Sequence, residues 1–307
     1  MPGKSKGLPR HALVLRQYSE LETYARAFAD GYLRSLVLIG PPGVGKSFTI
    51  RNVLGNQVCW IAGNASPFGI YLKAYQHANE PIVLDDIDDL YRHPQGVRLL
   101  KALCQTDPIR TLGWHTQARD LDKLGIPHEF QTASPVAMIA NDWQTLGPNV
   151  AAIEDRVHLL VFQPTPLEIH LQCAKWFWDQ DVFDFVANHL SLLEEHSLRL
   201  YVRAWELKAA SMDWHSAVLA QCLEGGARIV AQLKADRSFQ SEEDRVRAFV
   251  KGGHGCRATY FNHVRRLPCP TEVPKLELQT KFPPQVRPKS MDMIEFLRDR
   301  FGDLGKG

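Results

Sequence analysis

Short runs of consecutive apolar residues recur through the first half of the chain. Leu36 to Ile39, closing a strand that begins near Leu33, Val58 to Ile61, Ile82 to Leu84, Val136 to Ala140 and Leu159 to Phe162 each have strand length. Their lack of polar alternation is what a parallel strand covered on both faces shows. Between these runs the apolar residues fall at helical spacing. Ser19 with Glu22 fits a capping box opening a helix that runs to about Ala29 and ends at Gly31. Ser47 to Leu54, Pro67 to Gln76, Gly96 to Cys104 and Ala151 to Val157 read as further helices. The long insertion from Asp107 to Ser134 pairs Ile109 to Trp114 with Glu129 to Thr132 as an antiparallel hairpin around a polar loop holding His115, Arg119 and Lys123. The alternation predicts an α/β fold, a doubly wound and mainly parallel sheet.

After Pro164 the pattern is helical only. Leu167 to Phe177, Val182 to Leu190 and Leu198 to Ala210 carry apolar residues at helical spacing, and Trp176, Phe177, Trp178, Phe183 and Phe185 read as packing residues rather than a ligand cage. Glu242 to Lys251 and Ala258 to Leu267 are two short helices broken by Gly252-Gly253-His254-Gly255, a pattern that resembles a helix-turn-helix. Six prolines between Pro268 and Pro288 predict an extended linker, and Met291, Ile294, Leu297 and Phe301 a terminal helix. The expected organisation is a flexible basic arm (1–17), an α/β core (18–163), a helical lid (164–235), a basic helix-turn-helix-like unit (236–267) and a linker with its terminal helix (268–307).

The chemistry concentrates where strands end. Gly40-Pro41-Pro42-Gly43-Val44-Gly45-Lys46-Ser47 fits the phosphate-binding pattern G-x-x-x-x-G-K-[ST] in full, after an apolar strand and before a helix. Glycines at 40, 43 and 45 let successive N–H groups aim at one point, and the following helix adds the positive end of its dipole. A polyphosphate fits there, with Gly40 to Phe48 lining it, Lys46 on the β and γ phosphates and the Ser47 hydroxyl on Mg²⁺. The strand Ile82 to Leu84 runs into Asp85-Asp86-Ile87-Asp88-Asp89. Asp85 is the second candidate Mg²⁺ ligand and Asp86 is placed to polarise water, whereas Asp88 and Asp89 are assigned to capping or solvation.

Together with the apolar strand Val136 to Ala140 ending at Asn141, these motifs resemble the AAA+ P-loop ATPases, in the style of the replication-initiator, helicase-loader and mobile-element branches. The resemblance spans about Ser19 to Ala210. It implies binding and hydrolysis of ATP with Mg²⁺, Asn141 as the polar sensor that orients the lytic water, and Arg156 as a cation projected into the site of a neighbouring protomer. It further implies Arg199, in Ser197-Leu198-Arg199, as a lid arginine over the nucleotide, and a homo-oligomer, ring or helical filament. The usual Asp-Glu pair is Asp85-Asp86 here, and the shorter carboxylate bears on the rate of hydrolysis. A hairpin before the Asn141 strand is, in such proteins, either structural or a contact to DNA or to a neighbour.

Charge adds a partner to this picture. The net charge is +2, but Lys251 to Lys289 holds eight Lys or Arg against two Glu. Arg257, Asn262, Arg265 and Arg266 on the second helix of the helix-turn-helix-like pair are residue types that reach phosphates and base edges, so DNA is the expected partner. Two alternatives stay open: a protein-remodelling or signalling ATPase whose basic end binds a protein partner, and a nucleotide-switched scaffold with weak hydrolysis. The composition, 45% hydrophobic and 23% charged, is that of an ordinary globular chain. No apolar stretch has the length of a membrane span, and the expectation is a cytoplasmic protein with reduced cysteines.

Overall fold

The computed structural model describes residues 11–87, 90, 93–116, 118–142, 151–190, 193, 196–222, 225–236 and 238–266. The basic residues before His11, Asp88, Asp89, Leu267, the proline-rich linker and the terminal helix expected from Met291 lie outside the described residues. The chain divides into two compact units, Met1–Pro164 and Thr165–Gly307.

The first unit is built on a six-stranded sheet. Its strands, in chain order, are β1 (Leu13–Leu15), β2 (Ser35–Ile39), β3 (Cys59–Ala62), β4 (Ile82–Asp85), β7 (Val136–Ala140) and β8 (His158–Phe162). They lie in the order β1-β8-β2-β7-β4-β3, and every pairing is parallel. All five residues of β2 and all five of β7 are buried, as the apolar runs Leu36–Ile39 and Val136–Ala140 require of strands covered on both faces. From β2 the chain moves out to β3 at the edge, returns through β4 and β7, and crosses β2 to reach β8. The loop after β2 therefore leaves the carboxyl ends of the strands where the strand order reverses, the position in which open α/β sheets form a crevice.

The helices of this unit are α1 (Tyr18–Ala29), α2 (Lys46–Leu54), α3 (Pro67–Gln76), α4 (Pro94–Leu103), α5 (Ala118–Leu124) and α6 (Ala151–Glu154). The start of α1 differs from the expected Ser19–Glu22 box. Gln17 is the N-cap, and the Glu20 carboxylate accepts the N–H groups of Arg16 and Gln17 at 2.8 and 2.9 Å. The reason lies in the core: Tyr18 is fully buried and its hydroxyl donates to the Val44 carbonyl at 2.7 Å, which fixes the first turn two residues earlier. Residues 13–15, expected in a flexible arm, instead form the edge strand β1.

The predicted hairpin is present as β5 (Arg110–Gly113) and β6 (Glu129–Thr132), antiparallel, but its polar loop contains α5. Leu112, Trp114, Leu121 and Phe130 pack it against Tyr71 of α3. Arg110 is fully buried and donates to the carbonyls of Leu103 and Ser134, so this arginine is a strut beneath the hairpin.

The second unit is all helical: α7 (Pro166–Cys173), α8 (Gln180–His189), α9 (Leu198–Ala209), α10 (Trp214–Cys222), α11 (Gly225–Ala235), α12 (Glu242–Lys251) and α13 (Arg257–Arg266). Phe183, Tyr201 and His170 form its first core, with the His170 and Phe183 rings stacked at 3.8 Å. Val230, Val246, Phe249 and Tyr260 form a separate one. Helix α11 thus shares an apolar cluster with the helix-turn-helix-like pair α12 and α13. Among the described residues Cys59, Cys104 and Cys173 are buried free thiols and Cys256 is an exposed one. No helix among the described residues is long and apolar enough to cross a membrane.

Candidate functional site

The loop between β2 and α2 is shaped by its glycines. Gly43 and Gly45 have φ of 77° and 80°, in the left-handed region open to glycine, and Gly45 is the N-cap of α2. Gly40 is held to glycine by space: a Cβ there would stand 2.3 Å from the Phe162 carbonyl oxygen of β8. The turn can thus pass close to the sheet and start α2 at Lys46, so that the positive end of the helix dipole lies at the loop.

Side chains distant in sequence converge on this loop. The Lys46 ammonium, 6% exposed as a residue, donates to the carbonyls of Gly40 and Pro41 at 2.7 and 2.8 Å and to Asn141 Oδ1 at 3.1 Å. The Ser47 hydroxyl donates to Asp85 Oδ1 at 2.8 Å. Asn141 Nδ2 in turn donates to Asp86 Oδ1 at 3.1 Å. The links follow from the sheet: β2, β7 and β4 are adjacent, and the residues that close or follow them, Gly40, Asn141, Asp85 and Asp86, share one edge. Asp86 has φ of 56°, and its N–H donates to the Ile139 carbonyl at 3.0 Å, so a left-handed residue turns its carboxylate toward Asn141.

Burial pushes the Asp85 carboxyl above the ordinary carboxylate range, and the neighbouring charge of Asp86 adds to this. The Ser47 hydrogen bond and the charges of Arg51 and Lys46 act in the opposite direction. Arg51 is held with its guanidinium carbon 4.3 Å above the Trp60 ring. A carboxylate and a hydroxyl 2.8 Å apart, beside a buried ammonium and a row of backbone N–H groups, are a donor set suited to a hard divalent cation carried by phosphates.

The structure thus brings Gly40 to Phe48, Asp85, Asp86 and Asn141 into one place. Arg156, just after α6, is exposed and donates to the Lys101 carbonyl of its own chain at 3.4 Å, a long bond. Glu154, two residues before it, faces His11. Arg199 belongs to the second unit, exposed in the first turn of α9, its N–H on the Ser197 hydroxyl. Of the residues expected to meet DNA, Asn262 and Arg265 are exposed on α13, and Arg257 is ion-paired with Glu243. Arg266 closes α13, and its side chain lies outside the described residues. Two participants carried no mark in the sequence. Tyr18 anchors Val44 of the loop, and the Phe162 carbonyl sets the limit at Gly40; both contacts arise from strand order, which no local pattern encodes.

No family model matches the chain. It is similar to an uncharacterised 36.7 kDa protein in the nrdC–mobD intergenic region of Enterobacteria phage T4, at 26% identity over 137 residues. That match spans 42% of this chain and 42% of the phage protein, so the chain covers less than half the length of the relative it resembles.

Proposed function

We propose that this chain is a Mg²⁺-dependent ATPase of the AAA+ kind that works as an oligomer on DNA. The observation that carries the reading is the hydrogen-bonded chain Lys46–Asn141–Asp86 beside the pair Ser47–Asp85, which ties the glycine loop to the ends of two neighbouring strands. In this reading Lys46 and the N–H groups of the loop bind the β and γ phosphates, and Ser47 and Asp85 hold Mg²⁺. A cation held there would offset the negative charge of the phosphates during hydrolysis. Asp86 orients the attacking water and Asn141 fixes the Asp86 carboxylate. Arg156, a planar five-donor cation exposed to solvent, is offered to the site of a second copy.

The DNA part rests on the three-helix cluster of α11, α12 and α13 and on the basic composition of the chain from Lys251 onward. A nucleotide-switched scaffold with slow turnover is favoured by one feature: the shorter Asp86 carboxylate is already engaged by Asn141. Steady-state ATP turnover with and without Mg²⁺, in wild type and Lys46→Ala, tests the reading. Mg²⁺-dependent turnover abolished in Lys46→Ala is the expected outcome. Equal turnover in the two proteins removes the site, and nucleotide-dependent assembly with negligible turnover favours the scaffold.

A further inference from the structure

Helix α13 packs on its neighbours with one side and leaves the other to solvent. Tyr260, Phe261 and Val264 join Val230, Val246 and Phe249 in the core of the cluster, and the Tyr260 hydroxyl donates to Glu242 at 3.0 Å. His263 lies against Gly226 and Phe249. Ala258, Asn262 and Arg265, spaced four and three residues apart, are exposed and point away from that core. They bring a methyl, an amide and a guanidinium, with no carboxylate among them.

The acids nearby are spoken for. Glu242 faces Lys234 and Arg245 at 3.6 and 3.1 Å, Asp244 faces Arg247 at 3.1 Å, and Glu243 pairs with Arg257. The Arg257 guanidinium is also held 5.3 Å from the Phe261 ring centroid. Arg257 is therefore turned toward α12 and off the Ala258–Asn262–Arg265 strip. Arg265, at one end of the strip, and Lys251, at the end of α12, form no ion pair among the described residues.

We propose that α13 binds duplex DNA through the Ala258–Asn262–Arg265 face, and that the Glu243–Arg257 ion pair withholds one cation from the phosphates and so caps the affinity. This rests on the DNA-associated reading above. A helix of about 10–12 Å diameter enters a B-form major groove of about 12 Å, where amide, guanidinium and methyl groups meet adenine, guanine and thymine edges. The narrow major groove of A-form RNA does not admit it.

The test is fluorescence anisotropy of the full chain on a short mixed-sequence DNA duplex over a range of salt, with duplex RNA beside it. Arg265→Ala is expected to weaken DNA binding about tenfold and to reduce the slope of log K against log salt by about 0.9. Asn262→Ala, also exposed, should weaken binding without changing that slope. Glu243→Gln should tighten binding a few-fold and steepen the slope by about 0.9, as one more phosphate contact becomes available. If wild type binds DNA but Arg265→Ala or Glu243→Gln is indistinguishable from it, the proposed face or the proposed cap is wrong while the DNA reading stands. Absence of wild-type binding at low salt overturns both, and RNA bound as tightly as DNA overturns the groove assignment.

Discussion

A methyl group on Gly40 would stand 2.3 Å from the Phe162 carbonyl oxygen, so the first glycine of the loop and the last residue of β8 fix each other's positions. Gly40→Ala is predicted to force the loop off the sheet end, lowering the melting temperature and abolishing nucleotide binding together; a variant that binds ATP normally contradicts this packing. Asp86 offers a second residue-scale test. Its φ of 56° is tolerated by asparagine more readily than by alanine, which has no side-chain group to hydrogen-bond locally. Thermal denaturation should therefore find Asp86→Ala less stable than Asp86→Asn by about 1 kcal/mol. Equal stability would mean that the backbone at 86 relaxes without cost. These two residues show what the sequence hides: Gly40 and Asp86 are legible as parts of motifs, but the carbonyl that crowds one and the backbone geometry of the other come from strand neighbours more than fifty residues away.

At the scale of elements, β2, β7 and α3 were readable because each satisfies one rule throughout its length. The first two are apolar runs, after Ser35 in β2, and α3 starts at Pro67 behind the N-cap Ser66, whose side chain accepts the Gly69 N–H. Strand β1 was not readable: three residues, two of them about half exposed, pair along one side only with β8. Helix α5 escaped because Leu121 alone of its described residues is buried, too little for a periodic signal. The helical unit holds a testable element of its own. His170 Nδ1 and His196 Nε2 both contact the Tyr201 hydroxyl at 2.8 Å, joining α7, the start of α9 and the turn before it. Burial lowers His170 from its ordinary 6.5 to about 4, and burial with the charge of His170 lowers His196 to about 3. The folded unit thus keeps both imidazoles neutral where the unfolded chain protonates them. Stability present above pH 6.5 is lost progressively as the pH falls toward 4, up to about 2 kcal/mol per imidazole at pH 5. Tryptophan fluorescence melts should show this unit unfolding earlier at pH 5 than at pH 7, with the difference reduced in His170→Phe. A melting point independent of pH over that range contradicts the buried neutral pair.

For the molecule as a whole, the first unit contains the glycine loop, Ser47, Asp85, Asp86 and Asn141, the groups of one copy proposed to hold the nucleotide. Asn141 directly follows β7 and Arg156 lies between α6 and β8, so the groups proposed to sense phosphate and to face a neighbour sit next to the central strands that anchor the loop. If the pocket is completed between copies, Arg156→Ala retains ATP affinity and loses turnover, and mixing it with Asp86→Asn restores part of the activity through hybrid interfaces. Mixtures as inactive as their components would count against a shared pocket. The central claim, that the glycine loop with Ser47 and Asp85 holds a metal-bound triphosphate, is tested most directly by calorimetric titration of a non-hydrolysable ATP analogue with and without Mg²⁺. Wild type is predicted to bind more tightly with Mg²⁺, Ser47→Ala to lose that enhancement, and Lys46→Ala to lose binding; a wild type that binds no analogue, or a Lys46→Ala protein that binds it equally well, would contradict the account.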